Sequence, residues 1–167
     1  MTGITSITFG SLAHDKLGFT ITFDGESLPN ESLAEAIALI RDYPTPAYPV
    51  ALTGTYPDER DLFPLTTVLR ENDYRFVWIT NGLYIPANKT ADDYWVVRLS
   101  TPKWLVHRCH ELWWDGEGDV PPLPTPVPVL YLTCTPKKAL GLAKVSPLFW
   151  NHIPTATHTI KEVLYGV

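Results

Sequence analysis

One short stretch of the chain carries most of the residue types that bind metal ions in proteins. It contains His107, Cys109, His110, Glu111 and Asp115. On a helix, His107 would share a face with Glu111, and Glu111 with Asp115, because side chains four residues apart lie one turn from each other. Zinc takes imidazole, thiolate and carboxylate ligands. The HExxH pattern is missing and no third ligand is assured, so we interpret these residues as packing or solvated side chains and predict no metal site.

A second candidate is the pair Asp24-Gly25, which follows the alternating segment FTITF. The DxDG motif of phosphatases follows a strand in the same way, and its first aspartate is the nucleophile. Thr22 holds that place here, and a threonine cannot form the acyl phosphate. An ordinary turn after a strand is therefore the favoured interpretation.

Apolar patterns predict the elements that would position such residues. Strands are predicted at Ile4–Phe9 and Phe19–Phe23 and in the segments PVALTG, RFVWIT, YWVVRL and VLYLTC. Helices are predicted in NESLAEAIALIRDYP with Asn30 as N-cap, after Asp61 as N-cap, and in TPKWLVHRCHELWW, PKKALGLA and TATHTIKEVLYGV. Strands that alternate with helices indicate βα units and a mostly parallel sheet.

In such sheets, ligands bind at the carboxyl ends of the strands. Three of the predicted strands end in polar or glycine-containing turns, at Thr53-Gly54-Thr55, Thr80-Asn81-Gly82 and Ser100-Thr101. We expect these three loops to converge on one edge of the sheet and to form a binding site there.

Composition limits the classes of function. The chain has 167 residues, of which 45% are hydrophobic and 19% charged, as is typical of a globular protein with its own core. Its net charge of −5 argues against a general nucleic-acid or anionic-membrane surface. The sequence contains neither an apolar run of transmembrane length nor a signal-peptide pattern, so we predict a cytoplasmic protein without membrane contact.

Cysteine is scarce, with only Cys109 and Cys134 in the chain. One disulfide between them is an alternative, although a cytosolic chain with two cysteines more often keeps both reduced. Two thiols are too few for a zinc ribbon or for a cysteine-ligated iron–sulfur cluster, so the sequence predicts neither cofactor.

The segment ALTGTYPDERDLFPLTTVLRENDYRFVWITNG resembles the radical S-adenosylmethionine pattern, which has TGGEP at its first turn and TNG at its second. The subgroup it resembles is 7-carboxy-7-deazaguanine synthase, which contracts a pterin ring. Further segments fit in chain order across nearly the whole sequence, namely ITSITFGSLAHDKLGFTITFDG, ADDYWVVRLSTPK, VLYLTCTP and the terminal segment with Thr157 and His158. The resemblance implies one α/β domain over residues 1–167, with a mostly parallel sheet of about six strands in a partial (βα) barrel and helices on its outer face.

Three departures from the family bear on chemistry. Its CxxxCxxC motif, which holds a 4Fe–4S cluster, is replaced here by FDGESLPNESL, which has no cysteine. Thr55 stands at the second glycine of the turn, where a side chain restricts approach to the backbone. Tyr56 stands where the family has a glutamate that meets the ammonium group of the cofactor. Without a cluster no electron cleaves S-adenosylmethionine, so we expect neither the cluster nor this cofactor, and no radical chemistry.

Two classes of function stay open from the sequence. The first, favoured by the missing cluster, is a non-catalytic binding or structural protein on a degenerate scaffold. It would act through a nucleotide-like or pterin-like ligand, a protein partner at a tryptophan surface such as Trp113-Trp114, homodimerisation or assembly into a larger particle. The second is a non-radical enzyme acting on a nucleotide-, pterin- or deazapurine-like molecule in the remnant pocket. The residues expected to line that pocket are Asp24, Thr53, Gly54, Thr55, Tyr56, Thr80, Asn81, Gly82, Ser100, Lys103 and His158.

Overall fold

The computed structural model describes residues 1–12, 17–44, 46–81, 85–99 and 109–114, and the backbone of three short strands at 129–132, 151–152 and 157–159. The chain divides into two units. The first unit contains residues 1–78, 86–93 and 156–167, and the second contains residues 79–85 and 94–155.

The described elements follow the order ββαβαβ and then five further strands. The strands are β1 (Ile4–Ser11), β2 (Leu17–Asp24), β3 (Val50–Thr55), β4 (Phe76–Thr80), β5 (Tyr94–Leu99), β6 (Glu111–Trp114), β7 (Val129–Leu132), β8 (Asn151–His152) and β9 (Thr157–Thr159). The helices are α1 (Asn30–Arg41) and α2 (Glu59–Glu71). Neither of these two helices is long and apolar enough to cross a membrane.

Most of the described strand pairs are parallel: all three in the second unit are, while those of the first unit divide evenly between parallel and antiparallel. In the first unit the strand order is β9-β1-β2-β3-β4, and β1 runs antiparallel to both of its neighbours. The pairs β2–β3 and β3–β4 are parallel. In the second unit β5, β6, β7 and β8 follow each other as parallel neighbours. The prediction of a mixed α/β, mostly parallel architecture is therefore confirmed, while the single domain and the partial barrel stay predictions.

The helices form where their apolar residues recur at helical spacing. Helix α1 buries Leu33, Ala36, Leu39 and Ile40, and its end residues Glu31 and Arg41 suit the helix dipole. Pro29, rather than Asn30, occupies its N-cap position, and the Pro29 carbonyl accepts from the Leu33 N–H at 3.1 Å.

Helix α2 begins earlier than the sequence predicts. Asp58 caps it by accepting a hydrogen bond from the Arg60 N–H at 2.8 Å, so the prediction of Asp61 as N-cap is wrong. Asp58, Glu59 and Asp61 are all acidic, and sequence alone does not tell which of them is the cap. The earlier start places Pro64 inside the helix rather than in its first turn, on the exposed side.

Two segments predicted as helix contain strands instead. Glu111–Trp114 is β6, which pairs in parallel with β5 and β7, because a short apolar run fits a buried strand as well as a helix. Thr157–Thr159 is β9, which pairs with β1. Cys109 and His110, just before β6, are not helical either, and the rest of both segments, together with the predicted helix PKKALGLA, lies outside the described residues.

Candidate functional site

The carboxyl ends of β2 and β3 lie side by side and form one corner of the sheet, which brings the first of the three predicted loops next to Asp24. Asp24 pairs with Thr55, and Phe23 pairs with Gly54. Gly54 has a φ of 88°, and a Cβ at this position would collide with the Phe23 carbonyl oxygen. Thr53, Gly54 and Thr55, which the sequence predicts as a turn, are the last residues of β3, and the close contact between β2 and β3 leaves room only for glycine at position 54.

The Asp24-Gly25 pair forms the turn that the sequence predicts. The Asp24 Oδ1 atom accepts a hydrogen bond from the Glu26 N–H at 2.9 Å. Gly25 has a φ of 86°, and a Cβ on it would lie 2.9 Å from the Thr55 Cγ2 atom. The Asp24 carboxylate therefore closes its own turn, as aspartates commonly do.

The Tyr56 side chain is half-buried and packs on the helix side of the sheet. Its hydroxyl donates to the Leu52 carbonyl oxygen at 2.7 Å. Its ring packs edge-to-face with Phe23 and with Trp78, at centroid distances of 6.0 Å and 5.9 Å. Phe23 and Trp78 lie on the side of the sheet that the helices cover. Tyr56, which stands where the TGGEP pattern has its glutamate, is thus a half-buried aromatic side chain with its hydroxyl bound to the backbone.

The two sides of β1 to β3 differ sharply in chemistry. On the helix side, the Phe19 ring is fully buried and packs against Tyr43, which follows α1, and Tyr74, which follows α2. The opposite side, which we call the hydroxyl face, carries a hydroxyl at most positions. Its side chains on β1 to β3 are those of Ser6, Thr8, Thr20, Thr22, Asp24, Ala51, Thr53 and Thr55. Among these, only Asp24 ionises.

Of the remaining predicted pocket residues, His158 is the one that the structure describes within the first unit, and it lies apart from this corner. Thr80 belongs to the second unit, where its Oγ1 accepts from the Trp95 Nε1–H at 2.8 Å, and Asn81 follows it as an exposed residue. His158 pairs with Phe9, which faces Phe19 near the amino end of β2, roughly 16 Å along the strand from Asp24. Gly82, Ser100 and Lys103 lie outside the described residues.

The metal-like stretch is used in strand packing. The Trp95 N–H donates to His110 Nδ1 at 2.9 Å, and the His110 N–H donates to the Trp95 carbonyl at 2.8 Å. The His110 ring also stacks on Tyr94, with 4.5 Å between centroids. In a neutral imidazole whose Nδ1 accepts, Nε2 carries the proton, so neither nitrogen offers a lone pair to a metal.

The other members of that stretch give no ligand set either. Glu111 is fully buried in β6, and its Oε1 accepts from the Trp113 Nε1–H at 3.1 Å. Because residues 111–114 form a strand, the helical spacing from Glu111 to Asp115 does not apply. Within the described part of the chain, no group of three potential ligands could hold a metal ion. His107 and Asp115 themselves are outside it.

Cys109 is present as a thiol, and we expect it to react slowly. Burial, reinforced by the neighbouring Glu111 carboxylate, raises the pKa of Cys109 to about 12. The thiolate is the reacting species, and at this pKa only about one Cys109 side chain in ten thousand is a thiolate at pH 8.

A labelling experiment checks this directly. In a Cys134→Ser variant, where Cys109 is the sole thiol, we expect an aromatic disulfide reagent at pH 8 to label the native protein at least about 100-fold more slowly than the urea-unfolded protein. Rapid labelling of the native variant would contradict the raised pKa. The Cys109→Ser variant serves as the reagent control.

The first unit contains a buried ion pair that no sequence pattern predicts. The Asp93 side chain is 3% exposed and binds both terminal nitrogens of Arg70, at 2.8 Å and 2.6 Å. Its Oδ2 also accepts from Trp78 Nε1–H at 2.8 Å and from the Thr90 N–H at 2.9 Å. Burial raises the pKa of Asp93, but the hydrogen bonds from Arg70, Thr90 and Trp78 outweigh it and hold the pKa below its usual value.

The ion pair is one of several contacts that fasten the loop at 86–93 to the two ends of α2. At the start of the helix, the Glu59 carboxylate accepts from the Ala87 N–H at 2.8 Å, and the Glu59 carbonyl accepts from the Asn88 side chain at 3.1 Å. At its end, Arg70 donates to the Asn88 carbonyl as well as to Asp93. Because the Asp93 carboxylate is almost fully buried and accepts four hydrogen bonds from protein donors, we assign it a structural role.

Comparison with known proteins adds no relative. No protein family, curated protein or solved structure gives a significant match to this chain.

Proposed function

We propose that this chain is a non-catalytic binding or assembly protein on a radical S-adenosylmethionine-like scaffold, similar to 7-carboxy-7-deazaguanine synthase, that has lost its iron–sulfur cluster. The observation that carries the proposal is the chemistry of the hydroxyl face. Among its side chains on β1 to β3, only Asp24 ionises, and its carboxylate is held in the turn to Glu26. General acid–base catalysis needs a positioned group that transfers a proton to a reacting atom. A surface of hydroxyls next to one turn-bound carboxylate suits recognition instead.

Tyr56 supports the same proposal from the other side of the sheet. A glutamate here would offer its charge to a cofactor, whereas the Tyr56 hydroxyl is bound to Leu52 and its ring is packed between Phe23 and Trp78. Gly54 is likewise explained by its contact with Phe23. The turn can therefore be maintained for stability without any ligand.

The scaffold is part of the proposal. We infer one domain in which the strands form a partial barrel, with helices on the outer face and the hydroxyl face inside. The burial of the Phe19 side against the residues that follow α1 and α2, with hydroxyls on the opposite side, supports this arrangement. A homodimer and a cytoplasmic location belong to the same proposal, and the Cys109 thiol fits a reducing compartment.

Anaerobic reconstitution with iron and sulfide tests the loss of the cluster. We expect the protein to stay colourless and to form no 5′-deoxyadenosine from S-adenosylmethionine, because it has too few thiolates to hold a cluster. An authentic radical enzyme treated in parallel is the positive control. A brown protein that cleaves S-adenosylmethionine would overturn the proposal.

Ligand binding and turnover separate the proposal from an enzyme that reuses the crevice. Thermal unfolding is followed with a pterin or 7-deazaguanine added, and a ligand at 100 times its Kd stabilises by roughly 2.7 kcal/mol. A shift with no chemical change in the ligand supports binding. Conversion of either compound contradicts the non-catalytic proposal. If neither compound binds, a dimer or larger assembly in light scattering supports the structural form, and a monomer argues against it.

A further inference from the structure

The residues of the hydroxyl face are in register across neighbouring strands. Residues with a hydroxyl group recur at alternate positions of four neighbouring strands, as Ser6 and Thr8, Thr20 and Thr22, Thr53 and Thr55, and Thr157 and Thr159. Thr8 pairs with Thr20 on one side and with Thr159 on the other. Ser6 pairs with Thr22, which pairs with Thr53. The pairs are thus in register and form rows across the strands.

Solvent reaches this face. The side chains of Ser6, Thr8, Thr20, Thr22 and Thr53 are half-buried, and those of Asp24 and Thr55 are exposed. On the other side of β2, by contrast, Phe19, Ile21 and Phe23 are at most 2% exposed. A molecule arriving from solvent can therefore contact the hydroxyl rows but not the apolar side.

The charge of the face limits what such a molecule can be. The residues on β1 to β3 offer no cationic side chain to an anion, and Asp24 at one end repels it. They offer a cation only that single carboxylate, which already accepts from Glu26. An apolar ligand would remove the hydroxyls from water without replacing their hydrogen bonds, which is costly. The face therefore suits an uncharged molecule that forms several hydrogen bonds.

Resting on the proposed function, we propose that the hydroxyl face binds a neutral polyhydroxylated molecule, that is, a sugar or a polyol. Ser and Thr hydroxyls both donate and accept, so they pair with other hydroxyls in either direction. Within a row, hydroxyl groups on neighbouring strands lie about 4.8 Å apart, and between rows, hydroxyl groups on the same strand lie roughly 6.7 Å apart. Both distances are on the scale of a sugar ring. Planar heterocycles fit less well, because no aromatic ring lies among the side chains of this face on β1 to β3.

Threonine methyl groups report on this face directly. Protein labelled with ¹³C at threonine methyls is titrated with glucose, maltose and sorbitol, and separately with adenosine monophosphate and a pterin. We expect the signals of Thr20, Thr22 and Thr53 to shift and saturate with a neutral polyol, with a Kd of about 1 mM because the contacts are few and solvent-exposed. Thr90, exposed on the loop beside α2, should not shift.

A variant with one hydroxyl removed tests the contact. Thr22→Val keeps the shape and strand preference of the side chain, and it keeps the Thr22 carbonyl that accepts from Thr5 Oγ1 at 3.2 Å. We expect it to melt like the parent and to raise the Kd for the polyol about threefold to tenfold, as expected for one lost hydrogen bond. Thr20→Val is the second variant if Thr22→Val folds poorly, and Thr90→Val is the matched control.

The outcomes separate this inference from the function on which it rests. Saturation by the pterin or the nucleotide alone would reject the polyol while leaving a binding protein. No shift at Thr20, Thr22 or Thr53 with any probe would reject the face as a ligand site and leave the assembly form of the proposed function. Turnover of a probe would reject the non-catalytic function itself. An unchanged Kd in both valine variants would show that the polyol binds elsewhere.

Discussion

Replacing Asp93 by asparagine should lower the free energy of unfolding by about 3 kcal/mol, the loss expected when one partner of a buried ion pair is removed. The substitution keeps the shape of the side chain but removes its charge. Arg70, whose side chain is 29% exposed, then loses both short contacts to the carboxylate. Trp78 and the Thr90 N–H are left with a weaker, uncharged acceptor inside the core. Urea unfolding at pH 7, followed by far-ultraviolet circular dichroism, measures the change.

The neighbouring Asp92 supplies the control, since it is exposed and one residue away in the same loop. Asp92→Asn should change the free energy of unfolding by less than about 0.5 kcal/mol. Equal urea midpoints for Asp92→Asn and Asp93→Asn would mean that the buried network contributes nothing to stability.

The difference in the free energy of unfolding between the parent and Asp93→Asn should depend on pH with a definite sign. The folded state holds the pKa of Asp93 below its unfolded value of 3.8, so the charged form stabilises the fold. This contribution is fully present above the unfolded pKa and is lost as the pH falls through the folded one. The difference in the free energy of unfolding should therefore stay constant around neutral pH and become smaller only below about pH 4.

The sequence predicts those parts of this fold that local patterns determine. Alternation identifies β2 from Phe19, Ile21 and Phe23, and helical spacing identifies α1, because each element buries one continuous apolar side. The segment at β6 fails this test, since Leu112 and Trp114 are buried on one side and Glu111 on the other. A strand covered on both sides has no alternation to detect.

The candidate site also contains some contacts that sequence patterns predict and others that they do not. Asp24, Thr53, Gly54 and Thr55 meet because adjacent parallel strands end together, which strand order alone predicts. The position of His158 depends on the pairing of β9 with β1, and the Arg70–Asp93 pair joins residues 23 positions apart. No local sequence pattern predicts either contact. The hydroxyl face, in contrast, could be predicted, because the alternation that places the phenylalanines of β2 on one side also places Thr20 and Thr22 together on the other.

Gly54→Ala should be destabilising by at least about 2 kcal/mol, even with no ligand present. An L-residue is strained at a φ of 88°, by roughly 1–2 kcal/mol. The added Cβ would also meet the Phe23 carbonyl oxygen and lie 3.0 Å from the Phe23 nitrogen, and both are backbone atoms of a paired strand that cannot rotate away. Relief requires β2 and β3 to separate where Asp24 meets Thr55.

The control for Gly54 is the next residue, because Thr55→Ala removes an exposed side chain from the same turn. Its free energy of unfolding should change by less than about 1 kcal/mol, the range of strand preference. A loss confined to Gly54→Ala, measured by urea unfolding of the ligand-free protein, would show that the sheet itself requires the glycine. If Gly54→Ala were as stable as Thr55→Ala and lost only ligand binding, the glycine would instead be kept for approach of a ligand to the backbone. In that case the turn would retain the role that it has in the radical enzymes, and the proposal of a scaffold without that chemistry would lose its support at this position.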